Sequence, residues 1–168
     1  MVVVVESGFG IREVRVEEYA TVGALTVEVY VGEGHVDAES PYVAELFDAA
    51  TRASAAGVLV AARGDEVLGS LTVTRPGTPY AVVAEPGELE FRMLAVAKRA
   101  RGAGVGTALV NTVVDTARAE GFTSVVLATM SSMREARRIY DRMGFVPVPE
   151  RDWTNRRGTQ VTVMRLSV

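Results

Sequence analysis

"RARGAGVGTALV", residues Arg99 to Val110, sets three glycines at alternate positions between two arginines and the start of an apolar, helix-spaced run. A helix N-terminus has about four backbone N–H groups without intrahelical partners and a partial positive charge. Glycines at its entry let an anion approach that backbone closely, so Arg101-Gly102-Ala103-Gly104-Val105-Gly106 has the make-up of a phosphate cradle. Two familiar phosphate loops do not fit. A P-loop needs Lys-Ser/Thr straight after its glycines, and none follows. A dinucleotide fingerprint needs G-x-G-x-x-G tight against the preceding strand, whereas Thr107 stands in the third glycine's place and five residues separate Val96 from Gly102. On this stretch alone, a glycine-rich turn that caps a helix without a ligand stays open.

The flanking sequence sets the loop between a strand and a helix. "LEFRMLAV" before it is an apolar strand, and after it Val105, Ala108, Leu109, Val113 and Ala117 form one helical face that Gly121 ends. "TSVVLATM" reads as a buried strand, "SMREARRIYDRMGF" as a helix stopped by Gly144, and "QVTVMRLSV" as a final alternating strand. Upstream, a strand over 10–15 leads into a helix in which Tyr19, Val22, Leu25, Val29 and Tyr30 recur near helical spacing. Ser40-Pro41 opens a second helix through "YVAELFDAATRASAA", and Arg63-Gly64-Asp65 turns a hairpin between β-branched runs. The order β-α-α-β-β-β-α-β-α-β-β is that of an α/β chain with one mixed sheet.

Composition narrows the chemistry. At 168 residues, 48% hydrophobic and 23% charged, the chain reads as a single domain spanning 1–168, long enough to bury roughly two-thirds of its unfolded surface. A net charge of −3 argues against nucleic acid as a partner, although arginines gather at Arg99, Arg101, Arg134, Arg137 and Arg138 and leave a local anion site open. With no cysteine, thiol catalysis is excluded, and a single histidine, His35, cannot build a histidine metal cluster, so no metal is expected. The opening run Val2 to Val5 is too short for a signal segment or a membrane span, so the expectations are no membrane partner and a cytoplasmic location.

Taken together, "ELEFRMLAVAKRARGAGVGTALV", "TSVVLAT" and "ARRIYDRMGF" resemble the GNAT superfamily of acyl-CoA-dependent N-acetyltransferases, whose signature Arg/Gln-x-x-Gly-x-Gly/Ala stands here as Arg101-x-x-Gly104-x-Gly106. The resemblance runs at least from Gly87 to Phe145. It implies a mostly antiparallel mixed sheet splayed between its fourth and fifth strands and flanked by about four helices, and acetyl-CoA as co-substrate. It also implies that the backbone of Leu94, Ala95 and Val96 bonds the pantetheine like an added strand, while Arg101, Gly102, Ala103, Gly104, Val105, Gly106 and Thr107 hold the pyrophosphate. Lys98, Arg99 and above all Arg101 are the expected sources of positive charge.

Acetyl transfer to an amine needs a proton removed from the acceptor and a proton given to the departing thiolate. By the resemblance, Glu90 matches a carboxylate base on the strand before the loop and Tyr140 the tyrosine acid near the coenzyme sulfur. Glu90 has a competing reading, because Arg92 lies two residues on, about 7 Å away on the same face of a regular strand, where the two can pair. Glu88 is the weaker substitute. Tyr140 shares the i, i+3, i+4, i+7 face of Ala136, Ile139 and Met143, as a plain core tyrosine also would. The family often has Asn where this chain has Met133, and Thr129 and Ser131 are the polar residues nearby.

The acceptor is expected to be a small-molecule or peptide amine, shaped by the first two helices, their loop and the C-terminal hairpin. Tyr30, Tyr42 and Trp153 are the candidate contacts, with His35, Asp37 and Asp152 in the same segments. A homodimer is compatible with the sequence. The competing function is a catalytically silent acyl-CoA-binding module of the same fold.

Overall fold

The computed structural model describes residues 8–168 together with the backbone of Val3–Val5. The strands in chain order are β1 (Val3–Val5), β2 (Phe9–Glu13), β3 (Gly57–Arg63), β4 (Glu66–Thr74), β5 (Glu88–Val96), β6 (Ser124–Met130), β7 (Val146–Pro147), β8 (Trp153–Thr154) and β9 (Gln160–Ser167). The helices are α1 (Tyr19–Gly32), α2 (Tyr42–Phe47), α3 (Ala49–Ala55), α4 (Val105–Glu120) and α5 (Arg134–Met143). The strands form one mixed sheet in the order β1-β2-β3-β4-β5-β6-β9-β7, with β8 also on β9. Every neighbouring pair is antiparallel except β5 and β6.

Two details differ from the sequence pattern. The opening valines supply an extra edge strand, β1, paired with β2. The segment read as one helix from Tyr42 breaks at Asp48, whose side chain accepts from the Thr51 amide at 3.1 Å and starts α3 afresh. Five helices therefore stand where about four were expected.

The functional geometry comes from the β5–β6 pair. These parallel strands are bonded only over Glu88–Glu90 and Ser124–Val126. Beyond Glu90, β5 stays with β4 as far as Val96, while β6 follows β9 as far as Met130, so a wedge opens between them. A bulge helps to turn β5 away. Ser70 faces Ala95 but Thr72 faces Arg92, which leaves Leu71 opposite both Met93 and Leu94. Met93 takes a positive φ of 58°, which costs about 1–3 kcal/mol in a non-glycine residue and has to be held by its surroundings.

Neighbouring β5 side chains point to opposite faces, as a strand requires. Phe91 meets Tyr140 of α5, with ring centroids 5.8 Å apart, while Arg92 reaches Tyr42 of α2. On the α5 side, α4 buries Val105, Leu109, Val110, Val113 and Ala117 against the sheet. Gly69 of β4 lets it lie close, because a Cβ there would stand 2.8 Å from Val105 Cγ1 and 3.2 Å from Leu109 Cδ1. On the other side α1 buries Val22, Leu25 and Val29. It crosses α2 at Gly23, where a Cβ would stand 2.1 Å from the Phe47 carbonyl oxygen.

Candidate functional site

The wedge continues into a groove of about 1080 Å³ bounded by the end of β5, the glycine loop, α4 and α5, with the end of α1 across its mouth. In the loop Gly102 and Gly104 hold φ of +78° and +81°. Gly104 caps α4, and the first intrahelical bond runs from the Ala108 amide to its carbonyl at 2.9 Å. The amides of Val105, Gly106 and Thr107 are thus the unbonded first turn, at the groove wall. Gly106 also sets the groove's depth, since a Cβ there would lie 2.7 Å from Ile139 Cδ1. Of the expected coenzyme residues, Leu94, Val96, Arg101, Gly102, Gly104, Val105, Gly106 and Thr107 line the groove, Ala95 is buried beside β4, and Ala103 lies outside the lining.

The loop's cations are engaged elsewhere. Arg101 donates to Glu33 at 2.5 Å and to the Val96 carbonyl at 3.3 Å, with Glu135 at 3.5 Å. The Glu33 hydrogen bond raises its pKa further above an already high value. This bridge ties the loop to the end of α1 and the start of α5. Arg99 turns back to the β3–β4 hairpin, donating to the Val67 carbonyl at 3.2 Å with Glu66 at 3.5 Å, and neither it nor Lys98 lines the groove.

Tyr140 reaches the groove from α5 with its ring packed edge-on against Phe91 and tilted against Phe145, both at 5.8 Å. Its hydroxyl has no hydrogen-bond partner among the described residues, and burial pushes its pKa well up, so it stays protonated. Glu90 is placed differently. It is wholly buried and absent from the groove lining, and its Oε1 accepts from the Val82, Val83 and Ala84 amides at 2.9–3.0 Å. Its Oε2 is buried without a partner. The pairing of Glu90 with Arg92 does not form either, although the bulge comes after both and leaves them on one face. Arg92 donates instead to the Tyr42 hydroxyl at 2.9 Å and the Tyr80 carbonyl at 3.1 Å, with Glu45 at 3.6 Å. Glu88 binds Arg151 through both oxygens, at 3.0 and 3.1 Å.

On the acceptor side Tyr30 lines the groove, Tyr42 stands behind Arg92 outside it, and Trp153 lies on the short edge strand β8, away from it. Met133 lines the groove in place of the family's asparagine, with Thr129 Oγ1 3.7 Å from its sulfur; Thr129 and Ser131 are outside the lining. Two groove residues were not distinguished by pattern. His35 packs edge-on against Tyr30 at 6.2 Å and is hydrogen-bonded through Nδ1 to Ser132 Oγ at 2.8 Å, closing the rim between α1 and α5. Burial draws its pKa below the ordinary 6.5. Arg92 is the other. Only the alternation of β5 could have flagged it. Among the described residues no three His, Cys, Asp or Glu side chains gather as a metal site, and no helix is long and apolar enough to cross a membrane.

A splayed parallel pair with an unpaired strand edge and a glycine-capped helix beside it suit an extended ligand with an anionic centre. The model of the GNAT acetyltransferase family matches residues 24–145, and the chain belongs to that family. N-acetyltransferase 8B of Rattus norvegicus is 36% identical over 89 residues, 53% of this chain and 39% of that protein. N-acetyltransferase 8F1 of the same species is 39% identical over 64 residues, 38% of this chain and 29% of that protein. The match therefore spans well under half of these curated relatives. Among solved structures, a GCN5-related N-acetyltransferase from Kribbella flavida is 25% identical, with a TM-score of 0.70 over 98% of this chain and all of that one. The protein yncA of Salmonella typhimurium, determined with its cofactor acetyl-CoA, shares the fold at 19% identity, with a TM-score of 0.68 over 95% of this chain and 93% of that one.

Proposed function

We propose that the chain transfers the acetyl group of acetyl-CoA to a primary amine by direct attack in a ternary complex. The observation that carries this reading is the run of unbonded amides at Val105–Thr107, opening on a groove that Tyr140 also lines, its hydroxyl without a partner among the described residues. The pyrophosphate takes the loop amides, and the pantetheine lies along the edge of β5 beyond Glu90, where no strand pairs with it.

The acceptor nitrogen attacks the thioester carbonyl carbon, so a C–N bond forms and the C–S bond breaks. The departing thiolate takes the proton of Tyr140, which is protonated at neutral pH, and the tyrosine regains one from water. The acceptor's proton goes to His35 or to water at the groove rim. In the tautomer that donates Nδ1–H to Ser132 Oγ, Nε2 is free to accept, and the lowered pKa keeps the ring neutral near pH 7. Glu90 supports the site indirectly by holding the 82–84 backbone over β5. Direct transfer passes through no acetyl-enzyme, and with no cysteine in the chain the thiol route to one is closed.

Incubation with acetyl-CoA and a panel of primary amines tests the reading through free thiol release. Amine-dependent release with an acetylated product is expected. Tight coenzyme binding without turnover across the panel contradicts it and favours a silent binding module.

A further inference from the structure

Arg134, Arg138 and Arg142 recur at every fourth residue of α5, and all three line the groove. None is ion-paired among the described residues, whereas Arg137 on the helix's other flank holds Asp141 at 3.0 Å. Charge along the groove is otherwise scarce. Arg101 is engaged by Glu33 and Glu135, Arg92 by Glu45 and the Tyr42 hydroxyl, and the loop amides offer partial charge only. A ligand carrying two separate phosphate groups meets formal positive charge chiefly on this ridge.

Coenzyme A is such a ligand, with a pyrophosphate in mid-chain and a phosphate monoester on the ribose 3′ position. A phosphate monoester carries about −1.5 to −2 charge at pH 7. The pantetheine arm leads from the pyrophosphate toward Tyr140, so the ribose lies on the other side of the pyrophosphate, toward the exposed flanks of α4 and α5. The groove there is lined by Thr107 and Asn111 from α4 and by Arg138 and Arg142 from α5. Helix spacing sets both arginines beside Ile139, the residue that meets the loop at Gly106. Arg134, five residues before Ile139, lies further round the helix.

We propose that Arg138 and Arg142 form a second anion subsite that takes the 3′-phosphate monoester of the coenzyme, so that the chain distinguishes coenzyme A from 3′-dephospho-coenzyme A. This rests on the coenzyme reading of the groove. Guanidinium forks bind phosphate oxygens through paired, charge-assisted hydrogen bonds, and their exposure makes the contribution salt-sensitive.

Calorimetric titration of the intact chain with coenzyme A and with its 3′-dephospho form is the test. The wild type is expected to favour coenzyme A by about tenfold, the size of one or two exposed charge-assisted bonds. The double variant R138Q/R142Q loses that preference by weakening coenzyme A alone, with an unchanged circular dichroism spectrum, and added salt shrinks the wild-type preference. Equal affinity of the wild type for the two ligands overturns the subsite while leaving the coenzyme reading intact. A preference that survives in R138Q/R142Q overturns the assignment to these arginines. Binding of neither ligand overturns the coenzyme reading itself.

Discussion

Around the glycine loop the groove presents main chain, with two positive-φ glycines, the unbonded first turn of α4 and the unpaired edge of β5. Around the end of α1 it presents side chains gathered from distant segments, Tyr30 and His35 from α1 and its following loop, Arg92 from β5 and Ser132 from the loop before α5. The first surface needs only a local sequence with the right backbone freedom. The second exists only once the sheet and helices have assembled, and each of its residues also has a structural neighbour to satisfy.

The difference can be broken most severely at Gly104. Its φ of +81° strains any other residue by about 1–3 kcal/mol, yet a Cβ there meets nothing within 4 Å. Gly104→Val is expected to weaken acetyl-CoA binding on the order of 100-fold or more, with the fold retained by circular dichroism. Unchanged affinity by calorimetry contradicts the loop assignment.

Tyr140→Phe removes the proton donor while leaving the loop intact. A fall in kcat of roughly 10- to 10⁴-fold with unchanged coenzyme affinity is expected in steady-state and binding measurements. Full activity would make Tyr140 a core aromatic held by Phe91 and Phe145.

His35 probes the acceptor side by pH. Because burial lowers its pKa, the ring is neutral above 6.5 and charges only at lower pH, so the His35-dependent rate is present at neutral pH and falls on acidification. His35→Gln is expected to cost about 10²-fold or less in kcat/KM and to remove that acid limb. A limb that persists in the variant assigns it to another group.

Glu90→Gln gives the smallest effect on the chemistry. Replacing the carboxyl group that holds three amides costs about 1–3 kcal/mol of stability, read as a lower Tm, with the pH–rate profile unmoved. An ionisation missing from the variant's profile would return Glu90 to the role of base.

The strands, the loop and the helix after it could be read from the sequence because each is written locally, in the glycine spacing at 102, 104 and 106 and the apolar face of 105–117. The splay came only through the family resemblance, since no local pattern says where two parallel strands part. The break at Asp48 escaped because the apolar pattern runs through it and only the Asp48–Thr51 cap reveals it. The destination of Glu90 escaped for a different reason. Its partners are main-chain amides of a proline-rich connection, which carry no residue-type signature. The partners of the loop arginines were hidden in the same way, because sequence proximity to the glycines says nothing about Glu33, 68 positions away. His35 and the α5 arginines gain their meaning from the wall they share, which only the packing of α1 and α5 around the splay creates.

Backbone amide resonances followed by NMR during titration with acetyl-CoA test the central claim most directly. The amides of Gly104, Val105, Gly106 and Thr107 are expected to shift the most and to gain protection from hydrogen exchange as the coenzyme binds. Saturable binding that leaves these amides unshifted and unprotected would contradict the account, since the coenzyme's anionic centre would then lie off the loop.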